Sequence, residues 1–338
     1  MAISNPSIAE VGRKAKVHPS TVSRILNKSF ESHRYSAKTV ARVIAVAQEL
    51  GYRPSQAGRT LRTGKTMQIG VLVPDITSVF FNQFIKHLEK KVWATGYRLL
   101  ICCSNENAQQ EQEYLSDLLS RGIDGLVVAP SDTQSCQQVI TAGIPLVSVD
   151  RPLLGMTVPH VGLDNIEAGQ MMGQHLIEMG YKHVMAVAPC LPNDPTLPQR
   201  CKGLAQGLVT EGAVLKTVEL PSEATDEQLN KIVNFATAKP HTAIVGLTED
   251  TTFRVYECLR SHGLSIPDDV GMGGIDDFPA ARLVCPAISV IAQPIEQLAH
   301  KAFECLLEMI NETEKASSTI ESSIYCQLSP EFIRRESL

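Results

Sequence analysis

Val17-His18-Pro19-Ser20-Thr21-Val22-Ser23-Arg24-Ile25-Leu26-Asn27 reads as one short helix with its start marked. Pro19 stands at the first helical position, where its missing N–H costs nothing, and Val22, Ile25 and Leu26 share a face. Upstream, Ser7-Ile8-Ala9-Glu10 is a capping box, in which serine and glutamate satisfy each other's orphan amides. Ile8, Val11 and Ala15 then give the helix it opens one apolar side. Downstream, Ser36-Ala37-Lys38-Thr39 opens a third helix whose Val40, Val43, Ile44 and Ala47 form the opposing face, and Gly51 closes it. Three short helices with a tight link between the first two describe a helix-turn-helix head.

Charge sets this head apart from the rest of the 338 residues. Residues 1–66 hold 12 Lys/Arg against three acids, a net of +9, whereas 67–338 hold 19 basic and 33 acidic residues, a net of −14. A basic segment on an acidic body suits phosphate contact at one end only. The nine cysteines are scattered without C-x-x-C or metal-ligand spacing, so neither a disulfide framework nor a metal site is expected. Cys102 and Cys103 sit in an apolar run and read as buried strand residues. With no leader-like start and no apolar run long enough to span a bilayer, the expectation is a cytoplasmic, nucleoid-associated protein without membrane contact.

From Gln68 onward the pattern alternates. Gln68–Pro74, Leu99–Cys103, Gly125–Ala129 and Pro145–Val149 are apolar runs of strand length, with helical stretches between them, the first over roughly 79–95. Val184–Ala188, Ala243–Gly246 and Val270–Ile275 make a second set. Continuous apolar strands separated by helices indicate parallel sheets covered on both faces. Two lobes, with crossings near 162–164 and 290–294, would enclose a cleft. Ligands of open α/β sheets sit at the carboxyl ends of strands. The residues there are Asp75 with Phe80 and Phe81, Ser104-Asn105, Asp150-Arg151, Thr248-Glu249-Asp250, Asp276-Asp277 and Gln293. Carboxylates accept hydroxyl pairs, arginine donates a fork and rings pack on the apolar face of a sugar, so this mixture suits a polyhydroxylated ligand. No G-x-S-x-G elbow, no G-x-x-x-x-G-K-[ST] loop and no H-x-x-x-H pair occurs, so no enzyme class is indicated and no cofactor is expected. Gly271-Met272-Gly273-Gly274 falls inside a strand and opens no helix.

Ile8-Ala9-Glu10-Val11, Val17-x-x-x-Thr21-Val22-Ser23-Arg24-x-Leu26-Asn27, Ser36-x-x-Thr39 and Glu49-Leu50-Gly51-Tyr52-Arg53-Pro54 together resemble the LacI/GalR family in order and spacing. The resemblance runs to about residue 335. It implies an α/β protein with a helix-turn-helix head (1–53), a hinge helix and linker (54–66), and a two-lobed periplasmic-binding-protein-like core (67–338) with two parallel α/β sheets. The first lobe would take 67–162 and 292–322, the second 163–291 and 323–338.

By that resemblance the second helix enters the major groove. Pro19, Ser20 and Arg24 would reach base edges, Arg24 gripping a guanine bidentately, while Ser7, Thr21, Ser23 and Asn27 would set register on the backbone. In the hinge, Ser55 and Arg59 would touch DNA, and Leu61 would wedge open a central base step of the minor groove. The usual Gly-Val-Ser turn reads Lys16-Val17-His18 here, so a serine cap is lost. The longer link from Asn27 to Ser36 is similar to the fructose and sucrose repressors, which keeps a sugar phosphate open as effector.

In the core, Phe80 and Phe81 match stacking aromatics, Asp150 and Arg151 a hydroxyl-binding pair, and Arg200 a ligand arginine. Thr248 with Glu249, Asp276 and Gln293 match further ligand positions. The implied function is a homodimeric regulator, by expectation a repressor, of pseudo-palindromic double-stranded operator DNA. A small sugar-like effector would set its operator affinity by linkage. A transport-type sugar binder or a sugar-modifying enzyme would explain the cleft alone, and neither accounts for the basic head.

Overall fold

A computed structural model describes residues 6–26, 35–52, 60, 64–191, 193–209, 212–313 and 325–338. The chain divides into two compact units, 1–66 and 67–338.

In the first unit, α1 spans Ile8–Ala15, α2 Pro19–Leu26 and α3 Ala37–Glu49. The capping box forms, with the Ser7 amide donating to Glu10 Oε2 at 2.6 Å and the Glu10 amide to Ser7 Oγ at 3.3 Å. The turn into α2 depends on Gly12, because a Cβ there would lie 2.9 Å from the Val17 carbonyl oxygen. In place of the lost serine cap, His18 caps α2. Its Nδ1 accepts from the Ser20 amide at 3.3 Å and lies 2.8 Å from Ser20 Oγ. α3 is capped by Ser36 and ends with Gly51 at φ +65°, where the Tyr52 amide reaches back to the Ala47 carbonyl at 2.8 Å. Val11, Ala15, Val22, Ile25, Val43 and Ala47 form the core of the head. Ile44, expected on the inner face, is 40% exposed, because that face is already filled by Val43 and Ala47. Asn27, Ser55, Arg59 and Leu61 lie outside the described residues.

The second unit holds twelve strands and nine α-helices among its described residues. Strands β1 (Gln68–Val73), β2 (Arg98–Cys103), β3 (Gly125–Val128), β4 (Leu146–Val149), β5 (His160–Leu163) and β11 (Tyr325–Leu328) build one sheet in the order β11-β5-β4-β3-β1-β2. Strands β6 (His183–Pro189), β7 (Val214–Leu220), β8 (Thr242–Gly246), β9 (Gly271–Ile275), β10 (Ser289–Ala292) and β12 (Glu331–Ile333) build the other, β12-β10-β9-β8-β6-β7. Every pairing is parallel except β10 with β12. Helices α4 (Val79–Ala94), α5 (Ala108–Ser120), α6 (Gln137–Thr141) and α12 (Ile295–Thr313) belong to the first lobe. Helices α7 (Asn165–Glu178), α8 (Thr196–Gly207), α9 (Asp226–Ala238), α10 (Glu249–Ser261) and α11 (Pro279–Leu283) belong to the second. Each sheet is covered on both faces. In the first, Phe84, Leu88 and Leu306 pack on one side and Leu115, Leu118 and Ile123 on the other.

Three corrections concern edges and crossings. β2 is the open edge of its sheet, so Cys102 and Cys103 are half-buried rather than buried. The C-terminal boundary of the first lobe moves from 322 to Leu328, because β11 pairs with β5 and brings the Tyr325 ring 4.9 Å from His160. The second sheet is not wholly parallel, since β12 returns antiparallel along β10. The three crossings lie together: the Asp164 amide donates to the Leu328 carbonyl at 3.0 Å, and Ala292 faces Glu331.

Helices α7 and α8 approach backbone to backbone. A Cβ on Gly169 would sit 2.2 Å from the Arg200 carbonyl oxygen, and one on Gly203 would sit 2.0 Å from that of Ile166. Gly173 and Gly207 repeat the contact one turn along. Only residues without a side chain permit this spacing, and it fixes where Arg200 can point.

Candidate functional site

Between the lobes lies a cleft of about 580 Å³. All nine residues expected to bind an effector line it: Phe80, Phe81, Asp150, Arg151, Arg200, Thr248, Glu249, Asp276 and Gln293. Ser104 and Asn105 do not. Ser104 is buried against Ser131 at 2.9 Å, and Asn105 bonds Gln110. Asp277 turns away to Arg335 at 2.7 Å and Arg282 at 3.1 Å, a structural role.

Asp150 and Asp276 occupy equivalent places, each immediately after the third strand from its sheet's lobe-crossing edge, β4 and β9. Each holds a left-handed backbone, φ 59° and 80°. Each amide is tied to the next strand, Asp150 to the Val161 carbonyl at 3.2 Å and Asp276 to that of Ile291 at 2.8 Å. Non-glycine residues adopt this conformation at a cost, and such positions concentrate at binding sites.

Two arginines organise the polar floor. Arg200, brought in by α8, donates from Nε to Asn165 Oδ1 at 2.8 Å. Its Nη1 reaches the Leu247 carbonyl at 2.5 Å and Asp276 Oδ2 at 3.3 Å. Gln293 completes the shell of Asp276, its Nε2 lying 2.6 Å from Oδ1. Arg151 forms a fork with Glu106, at 2.8 and 2.7 Å, and its Nη2 lies 3.1 Å from Asp194 of the opposite lobe. Burial opposes its charge, but Glu106 and Asp194 together hold it more firmly protonated than an ordinary arginine.

Asp150 has no such shell. Among the described residues its carboxylate accepts no hydrogen bond, and the nearest guanidinium nitrogen, Arg151 Nε, stands 3.9 Å away. Burial first and the negative charge of Asp194 second push its pKa up to about 7, against the pull of Arg151 and Arg200.

A second contact crosses the cleft in the opposite direction. Glu249 of the second lobe accepts from Ser78 Oγ at 2.6 Å, the Val79 amide at 2.6 Å and the Phe80 amide at 3.4 Å, at the start of α4 in the first lobe. A carboxylate at a helix N-terminus meets orphan amides and the positive end of the dipole. Burial still dominates, with the charge of Asp276 next, and lifts the Glu249 pKa to about 7. Thr248 reaches the cleft but spends its hydroxyl capping α10, accepting from the Thr251 amide at 3.3 Å. Phe80 and Phe81 meet edge to face, centroids 5.0 Å apart, and form the apolar wall.

Glu106, Asn165, Asp194 and Ser78 were not among the expected residues. Glu106 could have been found, since it closes the turn after β2, one residue beyond Asn105. Asp194 lies in the loop after β6, where a strict strand-end search would also have stopped.

In the head, Ser20 and Arg24 are exposed on α2, while Pro19, Thr21 and Ser23 are half-buried. Ser20 already contacts His18, and Ser7 is occupied as the α1 cap. No helix among the described residues is long and apolar enough to cross a membrane.

Residues 66–329 match the periplasmic binding proteins and sugar binding domain of the LacI family, and residues 7–55 the bacterial regulatory proteins of the lacI family. The chain is 30% identical over 320 residues to the HTH-type transcriptional regulator PtxS of Pseudomonas putida, covering 93% of this chain and 92% of that protein. The structure of the Lac repressor dimer bound to operator and the anti-inducer ONPF superposes with a TM-score of 0.82 at 18% identity, over 99% of both chains. A periplasmic binding protein/LacI transcriptional regulator of Alkaliphilus metalliredigens, solved with D-xylulofuranose, gives 0.68 at 25% identity, over 80% of this chain and 98% of that one. With a helix-turn-helix head and a two-lobed cleft on one chain, the protein belongs to the LacI family of bacterial transcription regulators, DNA-binding proteins that carry a sugar-binding domain.

Proposed function

We propose that the chain is a homodimeric repressor of a two-fold symmetric operator, and that a small sugar-like effector in the cleft sets its operator affinity. The observation that carries this reading is the pair of contacts across the cleft, Arg151 to Asp194 and Glu249 to the start of α4. A ligand seated among these residues would touch both lobes, and a ligand with different affinities for two arrangements shifts the balance between them. Operator binding that prefers one arrangement is then coupled to effector binding by the same factor in both directions. Trp93 (59% exposed) and Ile101 (45%) on the first lobe offer apolar surface for the dimer contact.

The DNA-reading part rests on α2. Arg24, exposed opposite the buried Val22 and Ile25, is the side chain with the reach and fork for guanine, while Pro19, Ser20, Thr21 and Ser23 frame it. Ser7, Asn27, Ser55, Arg59 and Leu61 complete the proposed footprint, Leu61 as the minor-groove wedge. Selection of bound duplexes from a random pool tests this. Full-length protein is expected to enrich a pseudo-palindrome, Arg24→Ala to relax one base position per half-site, and residues 67–338 alone to bind no duplex. Equal enrichment by the 67–338 fragment would place DNA binding elsewhere.

A further inference from the structure

The cleft carries far more negative than positive charge. Seven carboxylates line it (Asp75, Glu106, Asp150, Asp194, Glu249, Asp250 and Asp276) against the two guanidiniums of Arg151 and Arg200. What matters for a ligand is how much of each group is still free. Both terminal nitrogens of Arg151 are engaged by Glu106, and one also by Asp194. Its remaining Nε is buried without a partner, facing the Asp150 carboxylate. Arg200 has spent Nε on Asn165 and Nη1 on the Leu247 carbonyl and Asp276. Neither arginine retains the two adjacent free N–H groups that a phosphate or carboxylate takes bidentately.

Apart from Arg151 Nε and Arg200 Nη2, which belong to different side chains and make no fork, the free groups are acceptors. Among the described residues the Asp150 carboxylate accepts no hydrogen bond, and Gln293 Oε1 is buried with no partner. An anion entering here would bring further acceptors and further negative charge. Hydroxyl groups would bring donors, and the apolar wall of Phe80 and Phe81 leaves room for the C–H face of a ring. Building on the proposal that the effector is sugar-like, we infer that the cleft takes an unionised polyhydroxylated molecule, with Asp150 as the acceptor of its hydroxyls, and rejects the phosphorylated or acidic form of the same molecule.

The test uses the full-length protein and matched probes: D-ribose, D-xylulose, D-fructose and D-glucose, the 5- or 6-phosphate of each, gluconate and glucosamine. Binding is read by titration calorimetry and thermal shift. At least one neutral sugar is expected to bind, with its phosphate at least tenfold weaker, since like charges brought together at a buried site cost several kcal/mol. Asp150→Asn is expected to weaken the neutral sugar and to shrink the neutral-to-phosphate ratio several-fold. A phosphate or gluconate that binds as tightly as the neutral sugar overturns the inference but leaves the sugar-effector reading standing. Tighter binding of glucosamine than of glucose also overturns it, in favour of a cation. If no probe binds, the sugar-effector reading falls and this inference falls with it. If Asp150→Asn changes neither affinity nor ratio, Asp150 is not the acceptor.

Discussion

The two lobes of the core place the same residue at the same point of the same topology and then treat it differently. Asp276, after β9, is held by Arg200 and Gln293. Asp150, after β4, faces Arg151 Nε at 3.9 Å and accepts no hydrogen bond among the described residues. Fold alone therefore does not decide what a strand-end aspartate does. The neighbours decide, and here they saturate one aspartate and leave the other without a hydrogen bond among the described residues.

The contrast can be broken at its strongest point first. Arg200→Ala is expected to destabilise the core by roughly 3–5 kcal/mol, because it strands the Asp276 charge and the Leu247 carbonyl in a buried site, and denaturant unfolding of the chain measures it. Asp276→Asn removes a charge-assisted contact and should cost about 1.5–3 kcal/mol, whereas Asp150→Asn should be neutral or stabilising in the same assay. Equal costs for the two aspartates would erase the distinction between the lobes.

pH sharpens it further. Asp150 and Glu249 titrate near 7 in the folded protein against ordinary values of 3.8 and 4.5. The folded state thus binds more protons than the unfolded chain in that interval, and stability falls as pH rises through it. The slope reaches at most about 1.4 kcal/mol per pH unit for each group. Asp150→Asn should flatten it, and a stability that rises between pH 5 and 7 in the wild type would contradict the assignment. The smallest effect is expected from Glu249→Gln, under about 1 kcal/mol at pH 8, since the amide oxygen can still accept from Ser78 and Val79 while losing only the charge. Melting curves at pH 5 and pH 8 separate the two contributions.

The buried parallel strands and the head were legible because their signals are local. Val71, Leu72 and Val73 lie in an unbroken apolar run, and Ser7 caps its own helix. Strand β7 was not, because at the sheet edge its Lys216, Thr217 and Glu219 face solvent and interrupt the apolar pattern. In the cleft, residue identities at strand ends pointed to eight side chains that line it and the family resemblance added Arg200, yet their partners could not be read. Ser78 and Glu249 meet across 171 positions of sequence, and Arg151 finds Asp194 from another lobe. Whether an aspartate is saturated or free depends on such pairs, so the distinction between Asp150 and Asp276 exists only in three dimensions. The His18 cap was hidden for a different reason, since a ring nitrogen seldom stands where a hydroxyl is sought.

The place where the chain changes lobes also limits how the core can move. Three segments cross side by side, tied by Asp164 to Leu328 and by β10 to β12, and two of them contain a proline, Pro294 and Pro330, that stiffens the backbone. A triple tether of this kind leaves the lobes one easy degree of freedom, a bend about the line through the crossings, and resists sliding or twisting. A ligand that bridged the two lobes across the cleft would act on the short arm of a lever, so the parts of each lobe farthest from the crossings would travel the longest path.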